Sequence, residues 1–209
     1  MSGILIEPHY LGSLEYFTRI LYAESIHLEI HQNFTKQTFK NRCVLLTTNG
    51  VQSLSIPVQF DQRTAYKDVK IDHDQSWLKE HWGSFFSAYG KSPFYEYFSE
   101  QFRSIWFSRQ KYLLDLSLEM MTLCLQLLQI DRSIQMTSTF ELEGNQSLFD
   151  FRELIVPKSS YDCREFYRLH QYSQVFGNKF VPNLSIVDLI MNEGSNARQV
   201  LIKSSRSSS

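Results

Sequence analysis

Residues 4–31 read ILIEPHYLGSLEYFTRILYAESIHLEIH, and the fold turns on this stretch. Ile4-Leu5-Ile6 is too short and too apolar for a half-solvated strand, and suits a central strand covered on both faces. Pro8 cannot supply a ladder N–H, so the strand ends there. Gly12-Ser13 offers a turn and an N-cap, after which Leu14, Phe17, Ile20 and Leu21 recur at helical spacing through Ala23. Ile26 to His31 then alternates, with Ile26, Leu28 and Ile30 on one face and His27, Glu29 and His31 on the other. The economical reading is a β-α-β unit with a right-handed parallel crossover.

Outward from that unit, residues 33–40 (NFTKQTFK) have no clean period and read as a polar connection. Arg42 to Thr48 and Val51 to Val58 flank Asn49-Gly50, a strong hairpin signal. With Asn49-Gly50 as a two-residue loop, Leu45 faces Leu54, Cys43 faces Ile56 and Arg42 lies opposite Pro57. Val69-Lys70-Ile71 reads as a short strand. Trp77 to Tyr89 reads as a helix, with Asp74 or Ser76 as N-cap and Gly90 as its stop. Ser92-Pro93 opens another, with a stripe of Phe94, Phe98, Phe102 and Ile105. Tyr112 to Gln129 is a third, leucine-rich helix. Ile134 to Thr139 is predicted to be a strand, Ser147 to Ile155 a short helix, and Ser185 to Met191 a closing helix with Gly194 past its end. The fold class is α/β: a β-α-β opening with a mixed sheet that includes the Asn-Gly hairpin, then a mainly helical middle. One domain spans 1–202, and KSSRSSS at 203–209 reads as a disordered Ser-rich tail.

Composition narrows the function classes. Aromatic residues make up 14% of the chain, which argues against disorder. A net charge of −1 argues against a broad nucleic-acid footprint. No run approaches the roughly 18 apolar residues of a membrane span. The start of the chain lacks the pattern of a secretory signal, so a cytoplasmic location is expected. Cys43, Cys124 and Cys163 are dispersed and odd in number, a poor basis for a disulfide framework. Cys163, in YDCREF, is the one plausible nucleophile of the three.

Four places carry candidate chemistry. The loop Glu7-Pro8-His9-Tyr10-Leu11-Gly12-Ser13 joins a strand end to a helix start, where unpaired N–H groups favour an anion and His9 and Tyr10 are at hand. His27, Glu29 and His31 step about 6–7 Å apart along one strand face, too spread to converge on one ion, so no metal site is assigned. Lys36, Lys40 and Arg42, beside Asn41, offer positive charge to an anionic small molecule. His81 lies four residues from both Trp77 and Phe85, on the apolar side of its helix. There an imidazole is either a satisfied core group or an acid or base in a pocket.

The runs EPHYLGSLEYF, LEIHQNFTKQTFKNR and GVQSLSIPV resemble the opening of the WbqC-like family. WLKEHWGSFFSAYGKSPFYEYF is similar to its middle motif, and YSQVFGNKFVPNLSIVDLIMNEG to the closing block of its shorter branch. The likeness covers nearly the whole chain in order. In the first loop the family commonly has Gln before the proline and Pro-Trp after the tyrosine, where this chain has Glu7, Leu11 and Gly12. What the resemblance implies is an enzyme of bacterial surface-polysaccharide (O-antigen) metabolism, a transferase that acts on a sugar-nucleotide precursor and moves an acyl or aminoacyl group to an amino sugar. It brings Lys36, Arg42 and His81 forward as catalytic residues, and Tyr10, Asn41, Tyr89, Gln174 and Asn183 as substrate-binding ones, to which the reading of the first loop adds His9. Two rivals stand beside this reading. One is a nucleotidylyltransferase-like nucleotide-binding protein using His9, and the other a non-catalytic binding or assembly module. Substrate, cofactor, metal requirement and oligomeric state stay open, as does catalysis itself.

Overall fold

The computed structural model describes residues 3–140, 148–163, 165–177 and 179–205. β1 (Ile4–Ile6) and β2 (Ser25–Leu28) lie side by side and parallel, with Ile4 beside Ile26 and Ile6 beside Leu28. α1 (Leu14–Tyr22) is the crossover between them. This is the β-α-β unit that the apolar spacing predicts. All of β1 is buried, as a strand covered on both faces requires.

β3 (Arg42–Thr47) and β4 (Gly50–Ser55) form the hairpin as a two-stranded sheet beside the parallel one. Its register differs by two residues from the expected one: Arg42 faces Ser55, Cys43 faces Leu54 and Leu45 faces Gln52. The cause is the turn. A type I′ loop at Asn49-Gly50 needs positive φ at both residues, whereas only Gly50 (φ 99°) has it. Thr48-Asn49 therefore turn the chain, and the Thr47 hydroxyl holds the turn by donating to the Gly50 carbonyl (3.1 Å).

β5 (Val58–Gln59) and β6 (Lys70–Ile71) make a short antiparallel pair. α2 (Trp77–Tyr89) starts after Ser76 and ends at Gly90, as predicted. α3 (Tyr95–Phe107) and α4 (Leu113–Leu127) follow. Phe85 of α2 anchors the aromatic core against Phe102 (5.7 Å between ring centres) and Trp106 (5.0 Å) of α3. Phe94, expected at the head of this stripe, packs instead on Gly194.

β7 (Ser133–Met136) adds in parallel to the outer side of β2. The helix expected over 147–155 does not form. Phe149-Asp150 are β8, parallel to β1 with Phe149 beside Ile4, and Phe151 N–H donates to the Leu5 carbonyl (2.8 Å). A two-residue strand carries no period of its own, so its pairing partner decides its structure. The four-stranded sheet, in the order β7-β2-β1-β8, is wholly parallel.

α5 (Ile186–Glu193) begins after Ser185 and is followed by α6 (Ala197–Lys203), which packs on α1 and α5. α6 has no counterpart in the sequence reading, and it draws the start of the Ser-rich tail into the fold. Ser204 is buried with its hydroxyl on the Val200 carbonyl (2.9 Å), and Ser205 donates to the Tyr22 hydroxyl (2.9 Å). The packed chain thus runs past the expected boundary at 202, while 206–209 lie outside the described residues. Among the described residues no helix is long and apolar enough to cross a membrane.

Candidate functional site

The strand order reverses at β1: the chain leaves it for β2 on one side and returns to β8 on the other. In open parallel sheets, ligands bind at the carboxyl ends of the strands beside such a reversal. Glu7 follows β1, Glu29 follows β2, Thr137 follows β7, and Phe151-Arg152-Glu153 follow β8. Their polar side chains form two clusters, one about Glu7 and one about Glu29, brought side by side by the consecutive residues Arg152 and Glu153. Glu7 Oε1 pairs with Lys40 Nζ at 2.9 Å, and Oε2 accepts the Glu153 N–H at 2.9 Å. Lys40 Nζ also donates to Gln32 Oε1 (3.3 Å). Glu29 accepts from the His31 N–H (2.7 Å) and the Thr137 hydroxyl (3.2 Å), and pairs with Arg152 (3.4 Å). Lys40 and Glu29 are 2% and 1% exposed, so these charges depend on their partners.

His9 is buried in the same region. Its ring stacks on Tyr16 at 4.4 Å, and the Tyr16 hydroxyl donates to the Glu7 carbonyl (3.0 Å). The ring makes no hydrogen bond among the described residues, and Nδ1 is buried without a partner. Burial depresses the His9 pKa to about 4. The Glu7 carboxylate works against that shift and Lys40 works with it. Burial raises the Glu7 carboxyl, but the charges of Lys40 and His9 and the bonds from Lys40 and Glu153 outweigh it, and the net shift is downward. A cavity of about 260 Å³ opens here, lined by Glu7, His9, Thr35, Thr38, Lys40 and Glu153 among others. A second hollow of about 180 Å³ is lined by His27, Glu29 and Thr137.

The first helix start does not offer the anion site that its position suggested. Leu14 N–H donates to the Leu184 carbonyl (3.0 Å), and Glu15 N–H to Asn183 Oδ1 (2.9 Å). The amino end of α1 is therefore plugged by the segment that leads into α5. Glu15, itself buried in the first turn, accepts from the Asn183 amide (2.9 Å) and adds negative charge there.

The model of the WbqC-like protein family matches residues 7–158 and 158–200. The chain belongs to the WbqC-like protein family. No curated protein and no solved structure matches it.

In this WbqC-like chain the residues singled out from sequence fall into six separate places. Lys36, Asn41 and Arg42 share a groove of about 670 Å³ with Phe60, Asp74, Trp77 and Glu80. His81 does not line that groove. It borders a neighbouring depression with Gln52, Ser55 and Glu80. Nδ1 of His81 is committed to the Trp77 carbonyl (2.9 Å), and Nε2 is buried without a partner. Burial lowers its pKa to about 4 against the effect of that hydrogen bond. An acid or base acting on a group held by Lys36 and Arg42 needs a nitrogen open to their groove, and His81 presents none.

Tyr10 is a core residue whose hydroxyl accepts from the Trp106 indole (2.6 Å). Asn183 caps α1. Gln174 braces the Val181 backbone through both amide atoms and donates to Asp188 (3.2 Å), which also accepts from the Tyr172 hydroxyl (2.6 Å). Tyr89 is buried with its hydroxyl near the same carboxylate. Burial raises Asp188 to about 6 against the bonds from Tyr172 and Gln174 and the nearby Tyr89 hydroxyl. Cys43 and Cys124 are buried free thiols, and burial pushes the Cys43 thiol up to about 12. The Cys163 side chain lies outside the described residues. Of the proposed ligand residues only His9 reaches the crevice at the sheet end. Lys40, read from sequence as a cation for an anionic ligand, is instead paired with Glu7. Glu7, Glu29 and Arg152 had no role assigned from sequence, although Glu7 and Glu29 could have been found as the residues that follow the two paired strands.

Proposed function

We propose that this WbqC-like protein is a transferase whose chemistry takes place in the His9 crevice at the carboxyl end of the parallel sheet. The acceptor is an amine- or hydroxyl-bearing sugar precursor of a surface polysaccharide. The observation that carries the reading is the buried, neutral His9 ring, free of hydrogen bonds among the described residues and beside the Glu7–Lys40 pair. Buried ion pairs are a poor way to gain stability, and clustered perturbed titratable groups in a cleft mark working sites. The charge suits the acceptor. Glu7, Glu29, Asp150 and Glu153 outnumber Lys40 and Arg152 at this edge, which favours an amine and hydroxyls over a phosphate. The sugar class is brought by the family, whose name comes from surface-polysaccharide gene clusters.

In this reading His9 takes the proton from the acceptor amine or hydroxyl as its nitrogen or oxygen attacks the donor's acyl carbon. A new C–N or C–O bond forms, the bond to the leaving group breaks, and His9 returns the proton to that group. Glu7 stabilises the imidazolium that exists between the two steps. Lys40 holds the Glu7 carboxylate in place. The nucleotidylyltransferase alternative has less support, because N–H groups at the amino end of α1 are bonded to Asn183 Oδ1 and the Leu184 carbonyl.

The test is a thermal-shift screen with amino sugars, sugar nucleotides and acyl or aminoacyl donors, followed by transfer assays on the hits. His9→Gln is expected to bind the acceptor normally and to transfer about 100-fold more slowly or worse. Undiminished transfer by a folded His9→Gln variant removes His9 from the chemistry.

A further inference from the structure

We infer that the groove lined by Lys36, Arg42 and the start of α2 is a second binding site, built for a phosphate ester that carries hydroxyl groups. The groove is a cavity of about 670 Å³. Lys36 Nζ sits 5.1 Å over the Phe60 ring, and Arg42 uses its Nε on the Ser55 hydroxyl (3.2 Å). Neither cation has a carboxylate partner among the described residues, so both keep donors for a ligand. The 13-residue helix α2 opens into this groove at Ser76 and Trp77 with no side-chain cap. Its first N–H groups are left for solvent or an anion. Trp77, 3% exposed, forms the apolar floor of the groove, with its ring against His73 and His81. Two cations without carboxylate partners among the described residues, together with a helix start, form the donor set of a phosphate site.

The rest of the lining is of another kind. Asp74, Gln75 and Glu80 are acceptors that would repel a bare polyanion but hydrogen-bond hydroxyls well. A monophosphate with hydroxyls on its organic part satisfies both halves, and bare phosphate satisfies one. The site is separate from the His9 crevice, and the connection between β2 and β3 divides them. Thr35, Thr38 and Lys40 line the crevice, whereas Lys36, Gln37 and Asn41 line the groove. The alternation of side chains between two cavities accounts for the absence of a clean period in NFTKQTFK.

Calorimetric titration of the full chain with glucose 1-phosphate, inorganic phosphate and glucose tests this site independently of the crevice. Glucose 1-phosphate is expected to bind about tenfold more tightly than phosphate and to weaken as salt rises. Arg42→Ala and Lys36→Ala are each expected to cost about tenfold in affinity, and Lys36→Glu more. Lys36 is exposed and Arg42 half-buried, and circular dichroism verifies the fold of each variant. His9→Gln should leave this binding unchanged, whatever it does to transfer. The inference is overturned if glucose 1-phosphate does not bind at millimolar concentration, if neither substitution weakens it, or if glucose binds as well as its phosphate. Equal affinity for phosphate and glucose 1-phosphate removes the hydroxyl half of the site.

Discussion

Lys40 and Glu7, 33 positions apart in the chain, form a 2.9 Å ion pair from which water is almost wholly excluded. The pair ties the polar connection after β2 to the end of β1, and the Tyr10 N–H to Phe39 carbonyl bond (2.9 Å) fixes the same two segments beside it. Two charges this deep are costly singly and tolerable together.

Lys40→Met is therefore expected to destabilise the protein by about 3–5 kcal/mol, because it leaves the Glu7 carboxylate buried without its cation. Adding Glu7→Gln to Lys40→Met should recover much of that loss. Chemical denaturation of the three proteins measures the difference. If the double variant is as unstable as the two single losses added together, the pair is not a coupled unit.

The β-α-β opening was legible because its signals are local: three apolar residues, a proline stop, a 3.6-residue period and an alternation, each read within one element. The hairpin was legible in kind and misread in register, because Asn49-Gly50 allows two loop geometries and only the backbone angle at residue 49 separates them. β8 was invisible because Phe149-Asp150 becomes a strand only by lying beside Ile4-Leu5. The site behaved likewise. Position alone put His9 at a strand end, but the matching of Glu7 with Lys40, Glu29 with Arg152 and Gln174 with Asp188 is long-range pairing that no spacing encodes. His81 drew attention for its apolar surroundings, and those surroundings bury it.

His81 gives a pH prediction with a defined sign. Its pKa falls from 6.5 to about 4 on folding, so the unfolded chain takes up a proton before the native one does. The native state is favoured fully above pH 6.5 and loses stability as pH falls from 6.5 towards 4. His81→Leu removes this contribution, and His9 keeps its own. At pH 8 the variant is expected to lose about 1 kcal/mol, from the bond to the Trp77 carbonyl. Between pH 6.5 and 4 its stability should fall less steeply than that of the wild type. Denaturation at a series of pH values reads the slopes, and equal slopes contradict a buried neutral His81.

Asp188 works in the opposite direction. Its carboxyl rises from 3.8 to about 6 on folding, so its contribution is full below pH 3.8 and is lost as pH rises through 6. Asparagine in its place keeps an oxygen for the Tyr172 hydroxyl and the Gln174 amide. The stability of the wild type relative to Asp188→Asn is expected to decline from pH 4 to 6 and to stay level above 7. A level difference across the whole range means that Asp188 titrates normally in the folded protein.

Gly194 ends α5 with φ 53°, and a Cβ built there would lie only 2.2 Å from the nearest atom of the Phe94 ring. Gly194→Ala therefore carries two separable penalties, a left-handed backbone for a residue with a side chain and an overlap with Phe94. Together they are expected to cost on the order of 2–4 kcal/mol. Phe94→Ala separates them, since it empties the space next to residue 194 and leaves the backbone angle in place. In that background Gly194→Ala should cost only the backbone part, about 1–3 kcal/mol for φ 53° with ψ −121°. Phe94 N–H donates to the Met191 carbonyl (3.2 Å), so the ring packs on Gly194 at the point where the α2–α3 connection meets the end of α5. A full penalty in the Phe94→Ala background assigns the glycine to backbone conformation alone, whereas no penalty there assigns it to the close approach of the ring.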